Sequence, residues 1–172
     1  MAVIGVIILG LFAFGKLFTS TPEEATSTVD YLGVREQAQA ATDLPLLAPE
    51  QLPAGWRATS ARFEPGPDGT GGSWHLGVLT SDEEYLGLEQ TPVALDEAAD
   101  RWAEDSEEAG SSDVAGRVWS VRAGPGDRIA YLTRTGDRTI VVTGTVAQDE
   151  LESYITSLSV SDSAPEPSPA AD

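Results

Sequence analysis

The chain contains no cysteine, a single histidine and a single lysine. Without cysteine it can form no disulfide, no thiol nucleophile, no cysteine-ligated metal site and no lipid-bearing cysteine. His75 alone cannot build a multi-histidine metal centre, and read from sequence it also leaves no Ser-His-Asp arrangement. Positive charge is scarce: nine arginines and Lys16 face 28 acids, for a net charge of -18. Such a surface repels phosphate backbones and anionic headgroups, so no nucleic acid is expected as a partner, while basic partners are favoured.

Chemical signatures are missing as well. No G-x-S-x-G elbow is present, and the glycine-rich run PGPDGTGG is followed by neither GK[ST] nor a helix. The acidic runs Asp82-Glu83-Glu84 and Glu104-Asp105…Glu107-Glu108 lack the spacing of a calcium loop and read as solvated faces. The expectation is therefore no cofactor, no metal, no catalytic residues and no enzyme activity.

One long apolar run exists. Ala2 to Phe18 is interrupted only by Lys16. As a helix it would rise ~26 Å, close to the ~30 Å hydrocarbon core, with Lys16 able to snorkel at one end. It is read as a single-pass anchor spanning 1–18. A cleaved signal peptide, with Ala13 and Gly15 as small residues near the cut, is the competing reading. A signal peptide wants a basic n-region, and Met1 is followed directly by apolar residues. An N-terminal apolar segment is the usual export signal, so the rest of the chain is expected outside the cytoplasm, tethered to the cell membrane. Lys16, after the span, counts the other way under the positive-inside rule.

Residues 19–28, TSTPEEATST, read as a polar linker. Residues 161–172 form a Pro/Ser/acidic tail too poor in apolar surface to order itself. Between them, 29–160 form one domain, about the common domain size. A short helix is expected over Gly33–Ala41, then a proline-rich loop over Asp43–Gly55. Strands are expected at Trp56–Glu64, Ser73–Thr80 and Tyr85–Gln90. A helix follows, with Thr91 as cap, Pro92 at its first position, and Leu95, Ala98, Ala99 and Trp102 on one face. AGSSD is expected to break this helix before three more strands, Arg117–Ala123, Arg128–Arg134 and Thr139–Thr145, joined by the turns GPGD and TGD. A last helix over Gln148–Leu158 buries Leu151, Tyr154, Ile155 and Leu158. The order βββα-βββα gives an α+β fold, one antiparallel sheet of about six strands with helices packed on it, preceded by the membrane helix.

Four tryptophans, Trp56, Trp74, Trp102 and Trp119, sit at core-patterned positions, and packing is their default role. Trp74, Trp102 and Trp119 are also the candidates for lining an apolar pocket. Arg57 and Arg62 are the candidate ligand-facing cations. On an ideal strand they point to opposite faces and neutralise neighbouring acids, unless a bulge intervenes. His75 would lie on the face opposite Trp74.

The runs PLLAPEQLPAGWRATSARF, SWHLGVLTSDEEYLGLEQ, GRVWSVRA and TIVVTGTVAQDELESYITSL, in that order, resemble the actinobacterial family called domain of unknown function 4245. L-P-x-G-W-R…S-A-R-F is the specific part. The resemblance implies a single-pass membrane protein, and it carries no assigned activity, so it transfers no functional residues. The element order is similar to the fold of PsbP-like proteins, an analogy of fold alone. The functional expectation is a membrane-tethered, non-enzymatic binding or accessory domain of the cell envelope, whose partner is an envelope protein, a polymer or an apolar ligand. The alternatives are a carrier of lipid or another apolar ligand, which needs a large Trp-lined pocket, and a hydrolase using two carboxylates.

Overall fold

A computed structural model describes residues 28–67 and 71–160. The expected anchor, most of the linker and the acidic tail lie outside the described residues. Among the described residues, no helix is long and apolar enough to cross a membrane.

The architecture is α+β. Helix α1 (Tyr31–Gln39) is followed by the short strand β1 (Leu47–Pro49), then β2 (Arg57–Pro65), β3 (Gly72–Leu79) and β4 (Tyr85–Thr91). Helix α2 (Leu95–Trp102) leads to β5 (Glu107–Val114), β6 (Arg117–Ala123), β7 (Ile129–Thr135) and β8 (Arg138–Gly144). Helix α3 (Gln148–Ser157) runs directly into β9 (Leu158–Val160). The main sheet has seven strands in the order β2-β3-β4-β8-β7-β6-β5, each pair antiparallel. β1 and β9 form a second, two-stranded antiparallel sheet.

Two expectations are thereby corrected. The sheet has seven strands rather than about six, because AGSSD is not the break after the helix: α2 already ends at Trp102, and AGSSD is the middle of β5. β5 is an edge strand, exposed along nearly its whole length, and charged and hydroxyl side chains on such an edge deter pairing with another chain. The proline-rich stretch is also more than a loop. Gln90 accepts from Leu47 N at 2.7 Å and donates to Pro45 O at 3.1 Å, while Trp74 Nε1 donates to Leu47 O at 2.9 Å. These bonds hold the segment over the sheet, where β1 can pair with β9.

The two faces of the sheet are packed differently. On the first, Leu76, Leu88, Val142, Tyr131 and Val121 stand side by side across five strands. Trp74, Leu86 and Ile140 flank them, and Tyr31 and Ala38 of α1 and Leu151, Tyr154 and Ile155 of α3 join the same core. On the second face, Ala98, Ala99 and Ala103 of the α2 region cover Ala130, Leu132 and Val141. That small-residue patch is narrow, so α2 shields only part of this face.

α3 begins at Gln148 as expected, but other helix ends differ, and Pro92, expected at the first position of α2, lies before it. α1 begins at Tyr31 because the Asp30 carboxylate accepts from Gly33 N at 3.1 Å. Thr91 does not cap α2: it closes β4, and Ala94 occupies the cap position with extended backbone and no side-chain acceptor. Ala94 is exposed. Ala94→Ser supplies the missing acceptor for the first-turn amides. It is expected to stabilise the domain by about 0.5–1.5 kcal/mol, read as a raised urea midpoint at unchanged slope. An unchanged midpoint would show that the α2 amides are already satisfied.

Candidate functional site

The uncovered part of the second face lies on β2, β3 and β4, and a bulge gives it its composition. In β2 the register slips between Ala58 and Ser60, so that Ala58 faces Val78 while Ser60 faces Gly77. One extra residue, Thr59, restores alternation out of phase. Ala58, Ala61 and Phe63 consequently face the first core, and Arg57, Ser60, Arg62 and Glu64 share the face of His75. An ideal strand would have set Arg57 and Arg62 on opposite sides; with the bulge they are on one. Arg57 makes two contacts to the Glu83 carboxylate, at 2.8 and 2.9 Å, and Arg62 Nε lies 3.4 Å from Glu64.

His75 sits at the centre of this face and is buried with Glu89. Its Nε2 is 2.8 Å from Ser60 Oγ, and its Nδ1 meets a carboxylate oxygen of Glu89. A carboxylate only accepts, so Nδ1–H donates to Glu89; in the neutral ring Nε2 then accepts from the Ser60 hydroxyl. Strands β2, β3 and β4 thus contribute one member each to a Ser–His–Glu chain. The expectation that a single histidine leaves no such arrangement is corrected. One histidine suffices when strand pairing brings a serine and an acid from either side of it. Among the described residues Glu89 is the buried acid, and it faces an imidazole rather than a second carboxylate.

The floor beside this chain is glycine. A Cβ at Gly77 would lie 2.4 Å from Ser60 Oγ, 3.4 Å from His75 Nε2 and 3.4 Å from a ring carbon of Tyr85. A Cβ at Gly87 would lie 2.7 Å from the Tyr85 hydroxyl. Three side chains therefore converge over Gly77, and the Tyr85 ring lies across both glycines. Burial, then the charge of Glu89, pushes the Tyr85 hydroxyl above its ordinary range, with Arg62 opposing. On the far side of His75 a recess of about 100 Å3 is bounded by Arg62, Ser73, Glu89 and the end of α2, where the Arg101 guanidinium lies 4.9 Å over the Trp102 ring. No group of acids and histidine able to hold a metal ion occurs among the described residues.

The remaining candidates do not gather in one place. Trp74 and Trp119 are buried in the first core, where Trp119 Nε1 donates to Val114 O at 3.2 Å. Trp102 stands at the rim of the second face. The tryptophans therefore line no common cavity.

A second recess, about 520 Å3, opens on the opposite side of the domain between the LPAGWR turn and α3. Trp56 N donates to Pro53 O at 3.1 Å, and Gly55 supplies the turn's φ of +85. The turn delivers Trp56 onto Tyr154, rings stacked with centroids 6.3 Å apart. Among the described residues the buried Tyr154 hydroxyl has no hydrogen-bond partner. Asp149 and Glu150 stand at the rim. Burial first, then Glu84, Asp149 and Asp82, hold the Glu150 carboxyl above its ordinary range. Among the described residues that line it, the rim carries acids and no cation. Nothing in the charge pattern along the chain placed these acids together; only α3 docking beside the β3–β4 turn does so.

A model for a protein of unknown function, DUF4245, matches residues 1–158. The chain belongs to this family. No curated protein matches it. Among solved structures, MucB in complex with MucA(peri) is similar at 15% identity over 66% of this chain and 36% of that one, with a TM-score of 0.39. The MucA/MucB complex of Pseudomonas aeruginosa matches at 15% identity over 66% and 34%, with a TM-score of 0.35. The DUF4245 chain spans about a third of those chains.

Proposed function

We propose that this DUF4245 protein is a membrane-tethered, extracytoplasmic binding domain that holds a basic, partly apolar segment of an envelope protein in the groove at Trp56. The observation that carries the reading is the pairing of an aromatic floor, Trp56 on Tyr154, with the acids Asp149 and Glu150 at its edge, where no cation lines the groove among the described residues. An apolar anchor seated on Trp56, with a Lys or Arg beside it, would bury ring surface and offset that charge. The apolar run Ala2–Phe18 supplies the tether, and the net charge of -18 favours approach of a basic partner.

The test uses the full-length chain in detergent micelles and a panel of fluorescent peptides carrying one Leu or Phe between two Arg. Fluorescence polarisation is expected to find binding that Trp56→Ala weakens about 30-fold and that high salt weakens further. Glu150→Gln should reduce the salt dependence. Equal binding of uncharged peptides would favour an apolar-ligand carrier instead. Binding indifferent to Trp56→Ala would remove the groove from the account.

A further inference from the structure

The Ser–His–Glu chain lies on the other face of the sheet, outside the groove at Trp56, and the binding role leaves it unused. We infer that Ser60, His75 and Glu89 form an acyl-transfer relay in which Ser60 is the nucleophile toward small esters. The geometry is that of nucleophile, base and orienting acid joined in series: Ser60 Oγ to His75 Nε2 at 2.8 Å, and His75 Nδ1 to Glu89. The burial runs in the matching direction. His75 and Glu89 are buried, and Ser60 is the accessible end.

The surroundings follow the same logic. A sheet face made only for stability would extend the apolar cover of α2 over β3 and β4, since desolvating an imidazole and a carboxylate is costly. Here the strand interiors instead carry Gly77 and Gly87, which weaken strands but let the Ser60 hydroxyl and the Tyr85 ring lie close against the backbone beside His75. The bulge at Thr59 is what turns Ser60 toward His75 at all. Two donors flank the chain: the Tyr85 hydroxyl, held across Gly87, and the exposed guanidinium of Arg62, which borders the recess beyond His75. Either can turn its donor toward an oxyanion formed at Ser60.

The step balances without a cofactor. Ser60 Oγ attacks the ester carbonyl carbon while His75 Nε2 takes the hydroxyl proton, and Glu89 holds the imidazolium. Collapse of the tetrahedral intermediate breaks the bond to the alcohol oxygen, which leaves with the proton from His75. Water then attacks the acyl-serine, with His75 again taking and returning the proton, to release the carboxylic acid. Glu89 acts through His75 and is a positioning residue.

The test uses the full-length chain with a biotinylated fluorophosphonate and with p-nitrophenyl acetate. Peptide mapping is expected to place the phosphonate on Ser60 at a rate at least a hundredfold above exposed Ser111 on β5. His75→Gln should slow labelling by about 10³-fold or more, Glu89→Gln by about 10²–10⁴-fold, and Glu89→Asp should recover part of the loss. Ser60→Ala should abolish both labelling and ester turnover. A second readout does not depend on the His75 variant folding. Because the chain has no cysteine, Ser60→Cys and Ser111→Cys each carry a single thiol. Iodoacetamide is expected to alkylate the first at least tenfold faster at neutral pH, since His75 draws off its proton. Equal labelling of Ser60 and Ser111, or equal alkylation of the two thiols, would overturn the relay.

Discussion

Trp74→Ala is expected to cost about 4–8 kcal/mol and to leave most of the chain's globular part unfolded at physiological temperature. Trp74 is fully buried on β3 and packs in the core shared by α1, α3 and β1. Truncating a buried Trp to Ala costs about 3–5 kcal/mol through lost burial and the cavity left behind. Its indole N–H also caps Leu47 O, and an unpartnered buried carbonyl adds about 1–3 kcal/mol. A domain of this size is stable by about 5–15 kcal/mol, so one substitution removes a large share. Two controls separate the terms in urea titrations. Trp74→Phe deletes the donor and only part of the ring, so it should cost less than Trp74→Ala, about 2–4 kcal/mol. Val118→Ala, at a side chain 68% exposed on β6, should change little. If Trp74→Ala shifted the stability by less than about 1 kcal/mol, the clamp on β1 would not be part of the cooperative unit.

Much of the fold was legible because its strands alternate and its turns are explicit. SWHLGVL reads as a strand with one apolar face, and TGD marks the β7–β8 hairpin, whose Gly136 has a φ of 60. β5 was illegible for a physical reason. An exposed edge strand needs no apolar alternation, and EEAGSSDV has none. Its turn to β6 was hidden too. Ala115 and Gly116 both have positive φ, as a two-residue hairpin requires, but alanine is not the residue that announces such a turn. The Ser–His–Glu chain was invisible because it depends on register. Ser60, His75 and Glu89 meet only once two hairpins are paired and one bulge is placed, and a bulge shifts facing without leaving a mark in composition. The usable signal was the glycines: strand interiors reading LGV and LGL indicate close approach of another group to the backbone. The family match over residues 1–158 identifies the chain but, without an assigned activity, adds nothing to the choice among sites.

Gly77→Ala turns that signal into a measurement. The added methyl would stand 2.4 Å from Ser60 Oγ, so the hydroxyl must rotate away from His75. Ser60 has a small, freely rotating side chain, and Gly77 has ordinary strand backbone rather than a positive φ, so the fold can absorb the change. The stability cost is expected to be about 1–3 kcal/mol, made of local crowding and a lost hydrogen bond. The functional loss should be far larger. Displacing the nucleophile by about 1 Å or more from its base costs on the order of a hundredfold, and breaking the hydrogen bond more. Fluorophosphonate labelling of Ser60 should therefore fall by at least about 10²-fold in a protein that still melts cooperatively. Gly87→Ala is the informative neighbour. Its methyl meets the Tyr85 hydroxyl at 2.7 Å and leaves Ser60 and His75 in contact. It should lower labelling less, and only to the extent that Tyr85 donates to the oxyanion. Undiminished labelling in Gly77→Ala would mean that the serine does not need its place over the glycine floor, and the close packing of Ser60, His75 and Tyr85 would then be a matter of sheet stability alone.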